Sequence, residues 1–223
     1  MMVEIDNNNR LKIVVIGAHP DDFEIGLGMR LMDHVKKGDY VVGIICSDGE
    51  KSGKRKIRLK EAECAAKYIG IKKLYKLHFP DTNFPSLTTV KDRLEKIINK
   101  EKPSMVYTHF KEDLHQDHRI VSEASAIACR RVPNILNYKS LSTLHNSFYP
   151  HFFHIGSEED FQKKKELLEI YKSQIERNGI VDLNKMKIDL KFYASFIPSF
   201  KDSYAEPFCA NHVVLNLFRI HND

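Results

Sequence analysis

The first 130 or so residues switch repeatedly between two hydrophobic periods. "LKIVVIGA" (Leu11 to Ala18) is an unbroken apolar run rich in β-branched residues, the pattern of a strand covered on both faces. Ile25, Met29, Met32 and Val35 then recur at helical spacing, and Gly38 supplies a stop. "YVVGIICS" from Tyr40 reads as a second buried strand. Arg58 to Ile69 reads as a helix with Leu59, Ala62, Ala66 and Ile69 on one face and Gly70 as its stop. "KLYKLHF" (Lys73 to Phe79) is a third strand, Thr89 to Asn99 a third helix, and "SMVYTHF" after Pro103 a fourth strand. "HQDHRIVSEASAIACRR" follows as a helix with Val121, Ala124 and Ala128 inward.

Four strand–helix alternations predict an α/β fold with right-handed crossovers and a parallel sheet covered by helices on both faces. Ligands of such sheets bind at the carboxyl ends of the strands. The remaining third is less periodic. "HFFHI" (His151 to Ile155) reads as a strand, and Phe161, Leu168, Tyr171 and Ile175 mark one long helix. No repeat or linker divides the chain, so one domain is expected.

Composition adds little to this and excludes more. Of the 223 residues, 42% are hydrophobic and 29% charged, as in ordinary globular proteins. No apolar run approaches the ~18 residues that cross a bilayer. "MMVEIDNNNR" lacks the apolar core of a signal peptide, so a cytoplasmic location is expected. The net charge of +5 is spread over helices. Its densest cluster, "EKSGKRKIRLK", has no aromatics to stack bases, which favours a solvated or substrate-facing loop over a nucleic-acid patch. Cys46, Cys64, Cys129 and Cys209 have no metal-finger spacing and read as reduced thiols.

The polar residues at two strand ends change the picture. His19, Asp21 and Asp22 follow the first strand, and His115 and His118 follow the fourth. If those strands are neighbours, both loops open over one crevice. Two imidazoles and a carboxylate suit zinc with a place left for water, and the spare acid Asp21 could take that water's proton. Each half has a plainer reading: His19 as a polar strand end, and Asp21 or Asp22 as a helix cap. Arg58 belongs either at the rim of the site or in a surface pair with Glu61 three residues on. Asp48 lies at the carboxyl edge and either faces the crevice or sits in an Asp-Gly turn, Asp81 either reaches a ligand hydroxyl or orders its own loop, and His109 could line the pocket. His151 and His154 fit a half-buried strand or a place near the substrate. The aromatics between Phe148 and Phe153 could floor a ligand site or fill the core.

"GAHPDDFEIGLG" and "HQDHRIV" together resemble the GlcNAc-PI de-N-acetylase family, also called PIG-L or LmbE-like. Its signature is Ala-His-Pro-Asp-Asp-Glu early in the chain and His-x-Asp-His near the middle. Here Phe23 stands between Asp22 and Glu24, so the glutamate falls one place later. Four further stretches fit the family pattern: "IRLKEAECAAKYIG" with Arg58 and Glu61, "HFPD" at His78 to Asp81, "KKKELLEIYKSQ" ending in Ser173-Gln174, and "YAEPF" with Glu206. The resemblance implies one LmbE-like domain over residues 1–223 with a Rossmann-like three-layer α/β/α fold and a mostly parallel sheet. It implies a zinc-dependent hydrolase that removes the acetyl group from an N-acetylated amino sugar or glycoside, by attack of zinc-bound water.

Carried over, His19, Asp22 and His118 would be the metal ligands and Asp21 the general base. His115 would stabilise the oxyanion or donate a proton, and Asp117 would fix an imidazole from behind. Arg58 and Asp81 are the substrate-binding candidates. Iron(II), cobalt or manganese suit the same ligands as zinc. With no membrane span, a soluble glycoside or nucleotide-linked sugar is expected as partner rather than a lipid or nucleic acid, and assembly of identical copies is left open. The rivals are a deacylase acting on another acyl group or a non-sugar amide, a non-catalytic binding protein, and a dinucleotide-binding domain. The last lacks Gly-x-Gly-x-x-Gly spacing, and its acids would repel phosphates.

Overall fold

The computed structural model describes residues 10–175 and 182–214. The expected lack of an apolar leader core in residues 1–10 falls almost wholly outside that set, as do both ends of the domain expected over residues 1–223. The predicted alternation forms as β1 (Lys12–Gly17), α1 (Asp22–Lys36), β2 (Tyr40–Ser47), α2 (Arg55–Ile69), β3 (Lys73–Phe79), α3 (Leu87–Glu101), β4 (Met105–His109) and α4 (Gln116–Ala128). β5 (Asn134–Tyr138), β6 (Phe152–Gly156), α5 (Glu158–Glu169), α6 (Lys172–Ile175), α7 (Leu183–Ala194) and β7 (Tyr204–His212) complete it.

The strands make one sheet in the order β3-β2-β1-β4-β5-β7-β6. β1 to β5 pair in parallel, and β7 runs antiparallel between β5 and β6. The continuous apolar runs follow from burial on both faces. Val14 and Ile16 of β1 pack with Val90 and Leu94 of α3 and Val121 of α4. Ile13 and Val15 face Phe23, Leu27 and Leu31 of α1 and Ala62 and Ala65 of α2. The result is a Rossmann-like three-layer α/β/α fold. The chain leaves β1 toward β2 and β3, then returns to place β4 on the other side of β1. This reversal leaves a crevice at the carboxyl ends of β1 and β4.

α1 is kinked at Leu27 (φ −151°, ψ 33°). The break frees the Met29 and Arg30 amides, which donate to Glu206 Oε1 and Oε2 at 3.0 and 2.8 Å. Lys164 Nζ closes the gap by donating to Ile25 O and Glu206 Oε1, both at 2.6 Å. Lys164 and Glu206 are fully buried, and such a pair holds because each partner is satisfied by more than the other. Beside the kink, a Cβ on Gly26 would lie 2.3 Å from Tyr138 Cδ2. Tyr138 is fixed by its hydroxyl, which donates to Ile16 O at 2.9 Å. Gly26→Ala is therefore expected to destabilise the protein by about 1–3 kcal/mol through overpacking. Thermal unfolding tests this, and an unchanged or raised midpoint would count against it.

The single long helix expected through Ile175 is in fact two, α5 and α6. The break at Ile170–Tyr171 lets the Tyr171 hydroxyl donate to Glu24 Oε1 at 2.7 Å. Glu61 Oε1 then accepts from the Ser173 amide at 2.9 Å and caps the new turn. Local satisfaction of buried acids outweighs helical continuity here.

Candidate metal centre

His19, Asp21 and Asp22 occupy the turn from β1 into α1. Asp21 is the residue before α1 and adopts φ 92°, a left-handed conformation that aspartate tolerates better than bulkier residues. Its side chain caps nothing. The neighbouring Asp22 Oδ2 instead accepts from the His19 amide at 2.7 Å. From the far side of the crevice, α4 brings His115 and His118. His115 is its N-cap, and the ring Nδ1 accepts from the Asp117 amide at 3.2 Å.

The two loops meet. His19 Nδ1 lies 3.5 Å from Asp22 Oδ2, and His118 Nε2 lies 3.3 Å from Asp22 Oδ1. The His19 ring centroid is 5.4 Å from that of His118 and 4.7 Å from that of His115. Among the described residues three donor groups have ligand atoms all within 4.8 Å: His19, His115, His118; Asp22, His109, His118; and His19, Asp81, Asp117. They share members, so they form one nest of donors. The expected set of His19, Asp22 and His118 draws on the first two.

Outer partners orient these rings. His19 Nε2 faces Asp117 Oδ2 at 3.1 Å and Asp81 Oδ1 at 3.2 Å. His118 Nδ1 faces Asp113 Oδ1 at 3.2 Å. Asp113 is in turn bonded by Ser140, Ser142 and Thr143. The sequence reading passed over Asp113. The acid two residues ahead of His115 in "EDLHQDH" was the available signal. Asp117 lies fully buried behind His19, with Oδ1 unpartnered among the described residues.

Burial and opposite charge compete at every group. Burial drives Asp21 up to about 6 despite the Arg58 guanidinium. Asp22 is equally buried, yet His118 and His109 together hold it well below the usual carboxylate range. Burial would lower His19 and His118, but their acids outweigh it. His19 is raised well above an ordinary imidazole, and His118 to about 9. Burial and the neighbouring His118 and His19 rings lower His115. Asp21, Asp22, Asp81, Asp113 and Asp117 are all buried here, and Arg58 pairs only with Asp21 among them, so the nest is rich in acidic groups. With imidazole nitrogens among the carboxylates, that chemistry fits a divalent cation.

Arg58 does not pair with Glu61 on the surface of α2. It is buried, with NH1 3.2 Å from Asp21 Oδ2 and NH2 donating to Pro20 O at 2.7 Å. Glu61 is taken by Ser173. A cavity of about 370 Å³ opens above the nest, lined by His19, Asp21, Asp22, Arg58, Asp81, His115 and His118. Lys51, Ser52 and Gln174 also line it, which puts part of the basic loop after β2 at the cavity.

For the residues with two readings, the structure selects one. His109 is not a pocket residue: it is fully buried and stacked under His118 at 4.1 Å. Asp48 is buried against His78 and Arg55 rather than at the cavity. Phe148 packs in a core cluster with Phe110 and Tyr193, so it floors no sugar site. His151 and His154 lie along β6 and its approach, away from the cavity lining. All four cysteines are free, and three are buried.

The GlcNAc-PI de-N-acetylase (PIG-L) family model matches residues 14–129. An uncharacterised deacetylase of Escherichia coli strain K12, YaiS, is 38% identical over 173 residues, 74% of this chain and 93% of that protein. Diacetylchitobiose deacetylase of Thermococcus kodakarensis is 33% identical over 124 residues, 50% of this chain but only 46% of that protein. The solved N,N'-diacetylchitobiose deacetylase of Pyrococcus horikoshii superposes with TM-score 0.78 at 21% identity, covering 100% of this chain and 91% of that one. GalB, the 4-carboxy-2-hydroxymuconate hydratase of Pseudomonas putida, superposes with TM-score 0.74 at 16% identity, covering 96% and 99%. The fold thus carries more than one chemistry, and the site residues must choose between them.

Proposed function

The chain belongs to the GlcNAc-PI de-N-acetylase (PIG-L) family, and on that premise we propose that it hydrolyses the acetamide of an N-acetylated amino sugar or glycoside. One observation carries this reading. Two loops distant in the chain converge on a nest of imidazoles and carboxylates while Asp21 stays in the cavity, off the imidazoles and against Arg58. His19, Asp22 and His118 would hold a divalent cation, with zinc suiting two nitrogens and one carboxylate. When bound, the cation supplies Lewis acidity toward the acetamide carbonyl and toward water.

The chain's own groups do the rest. Asp21 accepts the proton of the attacking water, and the bond that its Oδ2 accepts from Arg58 NH1 holds it in position. His115 Nδ1 is occupied by the Asp117 amide, so the neutral ring carries its proton on Nε2. That N–H is the donor to the developing oxyanion. Donors of this kind contribute roughly 3–4 kcal/mol. Asp21 then returns its proton to the amine nitrogen as the C–N bond breaks, leaving acetate and a free amino sugar. Asp113 and Asp117 keep His118 and His19 in register, a role that outer partners of metal-bound imidazoles commonly fill. Asp81 meets His19 and lines the cavity, so it serves the substrate from a position it shares with the metal centre. No described helix is long and apolar enough to cross a membrane. With free thiols throughout, we assign the reaction to a reducing compartment such as the cytoplasm.

The test is direct. Zinc-loaded protein is incubated with N-acetylglucosamine, diacetylchitobiose and an N-acetyl amino acid amide, and released acetate and primary amine are quantified. Stoichiometric acetate and amine from the sugars, and little from the amino acid, is the expected result. Metal-replete, folded protein that releases acetate from no sugar would overturn the reading.

A further inference from the structure

Resting on that reading, we propose that Arg119 is a positioning residue for the reaction. It holds His115, the donor to the oxyanion, through the two peptide units that lead into it. Arg119 NH1 donates to Asp113 O at 2.6 Å and to Leu114 O at 2.9 Å. The other ends of the same two units are also taken. The Leu114 amide donates to Ser142 O at 2.9 Å, and the His115 amide to Asp113 Oδ1 at 2.8 Å.

A peptide unit is planar, so one bonded at both its oxygen and its N–H has little rotation left. Two such units in a row fix where the His115 Cα sits and which way its side chain leaves (φ −78°, ψ 119°). The ring itself is held by the Asp117 amide on Nδ1 at 3.2 Å, which leaves Nε2 for the cavity that His115 lines.

Plainer roles do not account for Arg119. It stands in the first turn of α4, where a cation opposes the helix macrodipole, so stabilising the helix is no explanation. It is exposed along the wall of a second cavity of about 620 Å³, with Lys111 and Gln116, and so fills no core. Its bonds go to the turn, whereas Asp113 also meets His118 Nδ1. A change at Arg119 therefore reaches His115 without removing a partner of the metal ligands. Oxyanion donors act over a narrow range of distance, and a misplacement of about 1 Å costs on the order of 100-fold.

The experiment follows acetate release from N-acetylglucosamine and diacetylchitobiose by zinc-loaded wild type, Arg119→Ala, His115→Ala and the double variant. Arg119→Ala is expected to lower kcat by about 10- to 100-fold with KM and zinc content unchanged. In the His115→Ala background the same change should cost less than about twofold, because the two residues act as one unit. Long-range proton–nitrogen NMR of the imidazoles gives a readout independent of activity. The His115 ring should carry its proton on Nε2 in wild type and populate both tautomers in Arg119→Ala. Arg119→Gln keeps one donor for one carbonyl and carries the same test if the alanine variant does not fold. An equal loss of kcat in both backgrounds assigns Arg119 to general stability and overturns the proposal, as does a variant that has lost its zinc. Acetate release by wild type, with kcat and tautomer unmoved in Arg119→Ala, overturns the positioning role and leaves the deacetylase reading standing. A tautomer that Arg119→Ala scrambles in a wild-type background that releases no acetate overturns the reaction and leaves the positioning role.

Discussion

Asp21→Asn is expected to lower kcat by about 10²- to 10⁴-fold while leaving the metal content unchanged, the range for loss of a positioned general base. The exchange keeps the shape of the side chain and an oxygen that can accept from Arg58 NH1. It removes only the capacity to take a proton and return it. Asp21 is distinguished from its neighbour by its partners. Asp22 is engaged by His118, His109 and His19, whereas Asp21 faces Arg58 across the cavity wall. Elemental analysis of the purified variant beside steady-state acetate release gives the answer. A variant within tenfold of wild type would remove Asp21 from the role of base. A variant that has lost its metal would show that the two acids share one function.

Asp22→Ala is expected to abolish both metal retention and activity. Asp22 bridges the two loops: one oxygen meets His118, and the other meets His19 and His109. Removing it leaves the imidazoles facing each other with no anion between them. The loss in metal affinity should exceed the roughly 10- to 100-fold cost of removing an outer partner of a metal-bound histidine. Wild-type protein stripped by a chelator should lose activity and regain it with added zinc, and the competence of iron(II), cobalt and manganese can be ranked in the same assay. The variant should not recover at equal metal concentration. Wild-type protein that stays fully active after exhaustive chelation would end the metal-based account.

These predictions depend on a site only partly legible in the chain. The residues at its centre stood out because two adjacent acids and several histidines at strand ends have few structural uses. Asp113 did not stand out, since one acid in a polar loop looks like any other. Its importance comes from His118 and the three hydroxyls that surround it. Arg58 was ambiguous for a related reason. Its spacing from Glu61 suits a surface pair, and only the approach of α2 to the β1 turn shows that each has a different, buried partner.

The sequence by itself determined the order of elements from β1 to α4, because both faces of each central strand and one face of each helix had to be apolar. It failed at β5 and β7. β5 buries Asn134 and Asn137, whose amides donate to Ser104 O and His109 O. β7 contains Pro207 and the buried Glu206. Polar residues satisfied by distant partners erase the local hydrophobic period that a reader relies on. Tertiary structure alone decided that β1 and β4 are neighbours, that Glu206 and Lys164 meet across the kink of α1, and that Ser140, Leu141 and Ser142 line the cavity. Periodicity is set by near neighbours and survives in the sequence. The protonation, orientation and reach of a buried charge are set by groups far along the chain, and they exist only once water has been excluded and those groups are close.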